Sequence, residues 1–234
     1  MFDKKVPDFY LFYLNESKKI KGTNTINKCI LFTDIKGSSL MWKDDDVKMY
    51  NALLKHEDQM FELADKFNGI ILKSIGDAYM VSFDELKDAI EFAIELQKDT
   101  IKNPIKVGKN KIELRIGFCY GEVHEYKSER QGKKLLDYFG NVVNTASRLE
   151  SKVSDPGEFS FAFQSKQTDK DKEEITKILD EKCKEFKIIN YTEDCKDDKV
   201  NRSSRLLSDT HRYVCRSLNK LKGVDETMVY KCKI

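Results

Sequence analysis

Two aspartates close apolar runs. Asp34 ends KCILFTD (28–34), and Asp77 follows Gly76 between the runs GIILKSI (69–75) and AYMVSF (78–83). A single carboxylate at such a place is where a strand meets water. The neighbours of Asp34 change that reading. Gly37, Ser38 and Ser39 follow it, and their backbone N–H groups can form an anion cradle at a helix start. A carboxylate beside such a cradle is one way to hold Mg²⁺ against a polyphosphate. Two carboxylates converging from neighbouring strand ends would hold two metals. The pattern suggests a nucleoside triphosphate site.

A second pair lies in NVVNTASRLESKV (141–153), which reads as a helix after Gly140. Asn144 and Arg148 are four residues apart and share one helix face, with Val143, Ala146 and Leu149 expected to point inward. Arginine is scarce here. Lys and Arg total 42, and only seven are Arg. Placing one beside Asn144 favours bidentate contact with phosphate oxygens.

These residues need elements to hold them. KCILFTD reads as a buried strand. Residues 44–67 carry apolar positions at helical spacing and stop at Gly69. The runs 69–75 and 78–83, separated by Gly76-Asp77, read as a hairpin. DELKDAIEFAIELQKDTIK (84–102) is an amphipathic helix with Asp84 as its expected N-cap. KIELRIGFCYGEVHEY (111–126) reads as a strand pair broken near Gly121. Residues 169–187 read as a charged helix, and 188–210 resist assignment. YVCRSL and MVYKCKI read as two closing strands around the turn 220–226. The cluster Phe9–Leu14 (FYLFYL) should dock onto something. Strands alternating with helices, with hairpins among them, indicate an α+β chain with a largely antiparallel mixed sheet flanked by helices.

Composition bounds the rest. The chain has 234 residues, 40% of them hydrophobic, which is enough to build one core. The 42 basic residues nearly cancel 40 acidic ones, leaving a net charge of +2. That makes no case for a general nucleic-acid or membrane binder. No run is long and apolar enough for a membrane span, and the start does not read as a signal peptide. Six cysteines, at 29, 119, 183, 195, 215 and 232, show no metal spacing. They read as reduced thiols, so a cytoplasmic location is expected.

Taken together, FTDIKGSS (32–39), LKSIGDAYMVSF (72–83), LRIGFCYGEV (114–123), DYFGNVVNTASRLES (137–151) and LKGVDETMVYKC (221–232) resemble the catalytic domain of class III nucleotidyl cyclases. The resemblance implies that family's fold, with a ferredoxin-like core active as a dimer. It implies a catalytic domain at 28–234, an N-terminal extension at 1–27 and an insertion at about 154–211. It also implies two divalent cations, Mg²⁺ or Mn²⁺, on Asp34 and Asp77 with help from the Ile35 carbonyl. The Gly37 and Ser38 amides, Arg115 and Lys222 would contact phosphates. Asn144 would orient the ribose, and Arg148 would stabilise charge on the α-phosphate as the 3′-hydroxyl attacks and pyrophosphate leaves.

The same alignment places Lys73 and Asp137 at the base-reading positions. A Lys donor paired with an Asp acceptor complements the N1 acceptor and 6-amino donor of adenine. ATP is therefore the expected substrate and cyclic AMP the expected product. A pyrimidine nucleotide or GTP is the alternative within the family, and a catalytically silent nucleotide-binding module is the alternative outside catalysis. The chain carries both the metal set and the base-reading set, so the resemblance implies a homodimer with two shared sites.

Overall fold

The run that ends at Asp34 is an interior strand of an eight-stranded sheet in the computed structural model, which describes residues 25–130, 133–164, 168–191 and 227–234. This strand, β1 (Thr25–Ile35), buries both faces. Cys29, Leu31 and Ile35 enter one core, and Ile30 enters a second core across the sheet. That is why the sequence reads as a continuous apolar run instead of an alternating one.

Two helices follow β1: α1 (Ser38–Asp44) and α2 (Asp46–Lys66). Asp45 caps α2 by accepting from the Lys48 amide at 2.9 Å. The chain then turns into the hairpin β2 (Ile70–Ile75) and β3 (Ala78–Phe83), as the Gly76-Asp77 signal predicts. Gly76 has φ 66°, the left-handed region this turn needs. Next come α3 (Leu86–Lys102), the short pair β4 (Lys106–Val107) and β5 (Asn110–Lys111), and the long strand β6 (Leu114–Arg130). The N-cap of α3 is Glu85 and makes no side-chain cap. Asp84, the expected cap, is instead taken by an ion pair with Lys28.

The expected break near Gly121 does not occur. β6 is one strand, paired with β1 from Ile35↔Leu114 through Thr25↔His124, with Gly121 opposite Lys28. A glycine inside a fully paired strand needs no turn; the ladder on β1 decides. Beyond β1, β6 continues as a ribbon with β7 (Lys133–Phe139). The order β2-β3-β1-β6 is antiparallel throughout, and with α2 and α3 it makes a ferredoxin-like core. The sheet extends through β8 (Glu158–Phe163), which runs parallel to β6, then β10 (Thr227–Lys233) and β9 (Glu185–Tyr191). The described part of the expected insertion at 154–211 thus supplies β8, β9 and the charged helix α5 (Asp169–Lys182). The Phe9–Leu14 cluster, the YVCRSL strand and the 220–226 turn with Lys222 lie outside the described residues.

The larger core packs α2, α3 and α5 onto one face of the sheet; the smaller packs α4 (Asn141–Arg148) onto the other. Of the residues expected to face inward, Ala146 and Leu149 are fully buried, and Val143 is only partly so, with Val142 and Thr145 buried in its place. After Arg148 the helix widens into a π-helical turn, Leu149–Val153, closed by Ser154 N donating to Leu149 O at 3.0 Å. This turn presses directly on β6. A Cβ added at Gly117 would sit 1.9 Å from the Glu150 backbone nitrogen. Ser154 fastens the same contact, its Oγ donating to Ile116 O at 2.6 Å.

One buried group makes stability depend on pH. His56, on α2, is 0% exposed, 3.1 Å from Gln59 Oε1 and edge-on to the Tyr79 ring. Burial lowers its pKa below the usual histidine value. A depressed basic pKa means the folded state favours neutral imidazole. Its contribution is therefore complete above the unfolded value near 6.5 and lost as pH falls toward the folded one. Acidification from pH 7 to 5 should lower the unfolding free energy of the parent chain, read from urea melts, by at most ~1.4 kcal/mol per pH unit for one proton. In His56→Leu that part of the slope should vanish; an unchanged slope would assign the acid sensitivity to other groups.

Candidate active site

Asp34 stands at the end of β1, opposite Arg115 of β6 in the ladder. Thr33 pairs with Tyr79 of β3, so the hairpin tip carrying Asp77 comes up beside Asp34. The register thus puts the two carboxylates at neighbouring strand ends. Asp77 Oδ2 is buried and accepts no hydrogen bond from the described residues. A buried carboxylate oxygen without a donor is costly in a closed protein interior. It suits a site whose missing partner is a cation. No cluster of three His, Cys, Asp or Glu side chains suited to a metal occurs among the described residues. Two aspartates with a backbone carbonyl would make an all-oxygen donor set, which would suit a hard cation such as Mg²⁺ or Mn²⁺ that keeps oxygen ligands and water.

Arg115 lies between acids. Its Nη2 forms an ion pair with Asp34 and lies 3.1 Å from Glu150 Oε1, and its Nη1 donates to Ser151 O at 3.4 Å. The approach to Glu150 is a charge contact off the line of a hydrogen bond, because that oxygen has no hydrogen-bond partner. Burial raises the Glu150 pKa to about 7, the nearby Arg115 charge opposes the rise, and Asp34 and Asp77 add to it. Glu150 is the site residue that sequence reasoning misses. It stands four residues beyond the fully buried Ala146, on the helix face that meets β6, and the π-helical turn brings its backbone against Gly117.

Next to Asp34, Gly37 begins α1 with φ 75° and has open space where a Cβ would stand. The Ile35 side chain is buried at 1% exposure, which anchors the backbone at that point. Ser38 is the first residue of α1.

The other predicted residues gather elsewhere. Lys73 on β2 and Asp137 on β7 come together, with Nζ 2.6 Å from Oδ2. Asp137 Oδ1 also accepts from the Tyr138 amide at 2.9 Å. Residues 64 apart in sequence thus present one donor and one acceptor side by side. Asn144 and Arg148 sit on α4, with Asn144 exposed and Arg148 half-buried. Arg148 Nη1 is buried and finds no hydrogen-bond acceptor among the described residues. A guanidinium nitrogen held this way is suited to an anion that the described residues do not supply. Among the described residues, neither Lys73 and Asp137 nor Asn144 and Arg148 hydrogen-bond to Asp34 or Asp77. Lys222 lies outside the described residues.

Comparison with known proteins identifies the family. The family described as "Adenylate and Guanylate cyclase catalytic domain" matches residues 20–189. The adenylate cyclase of Schizosaccharomyces pombe is 27% identical over 219 residues, covering 85% of this chain. This chain spans 12% of that relative's length. Among solved structures, the adenylyl cyclase CyaB from P. aeruginosa superposes with a TM-score of 0.60 at 19% identity, covering 91% of this chain and 96% of that one. The guanylate cyclase domain of RhGC from Catenaria anguillulae, solved with GTP, gives 0.58 at 19% identity over 88% and 96%. Fold, motif order and family match converge: the chain belongs to the adenylate and guanylate cyclase catalytic domain family, the class III nucleotidyl cyclases.

Proposed function

We propose that this cyclase domain is an adenylate cyclase that converts ATP to 3′,5′-cyclic AMP and pyrophosphate. The observation that carries the choice of base is the Lys73–Asp137 pair at 2.6 Å. An ammonium beside a carboxylate offers a donor to adenine N1 and an acceptor to its 6-amino group. Guanine presents the reverse pattern and would meet a donor with a donor. The S. pombe relative named an adenylate cyclase supports the same choice.

Asp34, Asp77 and the Ile35 carbonyl would hold two divalent cations, which when bound supply Lewis acidity toward the 3′-hydroxyl and the triphosphate. The chain's own residues do the positioning. Gly37 and Ser38 amides and Arg115 steady the phosphates, and Lys222 is assigned to the terminal ones. Asn144 orients the ribose so that its 3′-oxygen lies in line with the α-phosphate. Arg148 holds fixed positive charge where negative charge develops. The nucleophile is tethered to its electrophile, so orientation and charge neutralisation account for most of the rate.

The working unit is a homodimer with two shared sites. Two observations support this. The metal residues make no hydrogen bond to the base-reading and transition-state residues within one chain. Large apolar side chains also stand exposed near both groups, among them Ile75 at 60%, Leu135 at 49% and Phe139 at 45%. None of the described helices is long and apolar enough to cross a membrane.

The test is product identity. The chain is incubated with ATP, GTP, CTP or UTP, with Mg²⁺ or Mn²⁺, and products are identified by mass. Cyclic AMP should dominate and disappear in Asp77→Ala. Cyclic GMP or a cyclic pyrimidine would keep the mechanism and overturn the base assignment. Nucleotide binding without pyrophosphate release would make the domain a silent binding module.

A further inference from the structure

Arg115 serves two acids at once, and this bears on how the metal site opens. The guanidinium is 19% exposed, Asp34 25% and Glu150 11%. Three charges packed so closely must compensate one another, because an unpaired buried ion is expensive. Two carboxyl groups thus face one guanidinium, with Asp77 near by. A planar fork can face two carboxylates where an ammonium would favour one. Glu150 has little freedom to leave. Its backbone is pressed onto Gly117, two residues along β6 from Arg115 and on the same face of the strand. Ser154, bonded to Ile116 O at 2.6 Å, pins the far end of the same turn.

A cation arriving at Asp34 competes with Arg115, which holds Asp34 Oδ2. Without a second acid, the guanidinium would be left buried beside a divalent ion. We propose that Glu150 is a positioning residue that shares Arg115 with Asp34 and takes it over when a divalent cation binds Asp34. The inference rests on the metal reading of Asp34 and Asp77 given above. Glu150 is placed here as a partner of Arg115, not as a metal ligand. Its effect on the metal passes through Arg115.

The probe is Mn²⁺ alone, with free ion counted by electron paramagnetic resonance in the presence of the full chain. Glu150→Gln should raise the Mn²⁺ Kd roughly ten-fold, as loss of an outer partner of a metal ligand commonly does. In an Arg115→Ala background the same change should move Kd less than about two-fold. An equal effect in both backgrounds would overturn the proposal, because Glu150 would then act by bulk charge. Asp34-dependent binding that Glu150→Gln leaves unaltered would overturn it too, while leaving the metal reading intact. Absence of any Asp34-dependent Mn²⁺ binding in the parent chain would sink the metal reading itself, and this inference with it. A Mn²⁺-bound crystal structure of the parent chain needs no variant to fold. It should show Arg115 parted from Asp34 and still against Glu150. Arg115 remaining on a metal-bound Asp34, or leaving Glu150, would refute the handover.

Discussion

Arg148→Ala should fold as the parent does and turn over at roughly a thousandth of the parent rate, the scale on which arginines that face a transferring phosphoryl group act. The expectation comes from the side chain's setting. Its Nη1 is buried and has no acceptor among the described residues, so the fold does not use that nitrogen and truncation should cost little stability. The loss should appear in kcat more than in KM, because charge on the α-phosphate grows only toward the transition state. Mixing Arg148→Ala chains with Asp34→Ala chains gives the sharper readout. Each variant alone should be nearly silent. A mixed dimer holds one composite site with both residues intact, so activity should return to about a quarter of the parent's if subunits exchange at random. A mixture that stays silent after exchange is demonstrated by mass would contradict the shared site. Near-full turnover by Arg148→Ala alone would remove Arg148 from the chemistry.

Gly117→Ala is expected to be the most damaging single methyl group in the described chain. The new Cβ would lie 1.9 Å from the Glu150 nitrogen and 2.6 Å from its Cα. Those are backbone atoms, so no side-chain rotation relieves the clash; the π-helical turn must lift or β6 must bow. Overpacking of well-packed interiors costs about 1–3 kcal/mol and occasionally more, and the upper end applies where backbone meets backbone. Thermal unfolding should show a Tm lower by several degrees. Lifting the turn would also draw Glu150 from Arg115, so Mn²⁺ affinity should fall alongside stability. A variant with an unchanged Tm would mean that the turn does not rest on the strand as described.

Some of this was legible beforehand and some was hidden for identifiable reasons. The β2–β3 hairpin was readable because Gly76 must supply a left-handed turn between two apolar runs. β1 was readable because both of its faces are buried, and α2 because Gly69 ends a helical spacing. The continuity of β6 was not readable. Gly121 carries a turn signal locally, and only the ladder to β1 cancels it. The cap of α3 was misplaced because Asp84 is drawn to Lys28, a partner 56 residues away. Asp34 and Asp77 could be paired in advance because strand ends converge in a ferredoxin-like core. The meeting of Lys73 with Asp137 required the resemblance, since nothing local links an edge strand to a distant ribbon. Glu150 escaped notice because its partner Arg115 lies on another strand, while the bare Gly117 that accommodates it is one glycine among 11.

The β1–β6 ladder also sets a schedule for synthesis. Asp34 and Arg115 are 81 residues apart, so their ion pair cannot form until a further stretch of that length has emerged. At about 5–20 residues per second the wait is roughly 4–16 s. During that interval β1 can pair with β3 but presents its other edge, with Ile30 and Leu31 beside it, to whatever is near. Such an unpaired apolar edge is a template for wrong partners. A cell making this chain therefore needs either low crowding of nascent copies or a chaperone that shields the strand until β6 arrives.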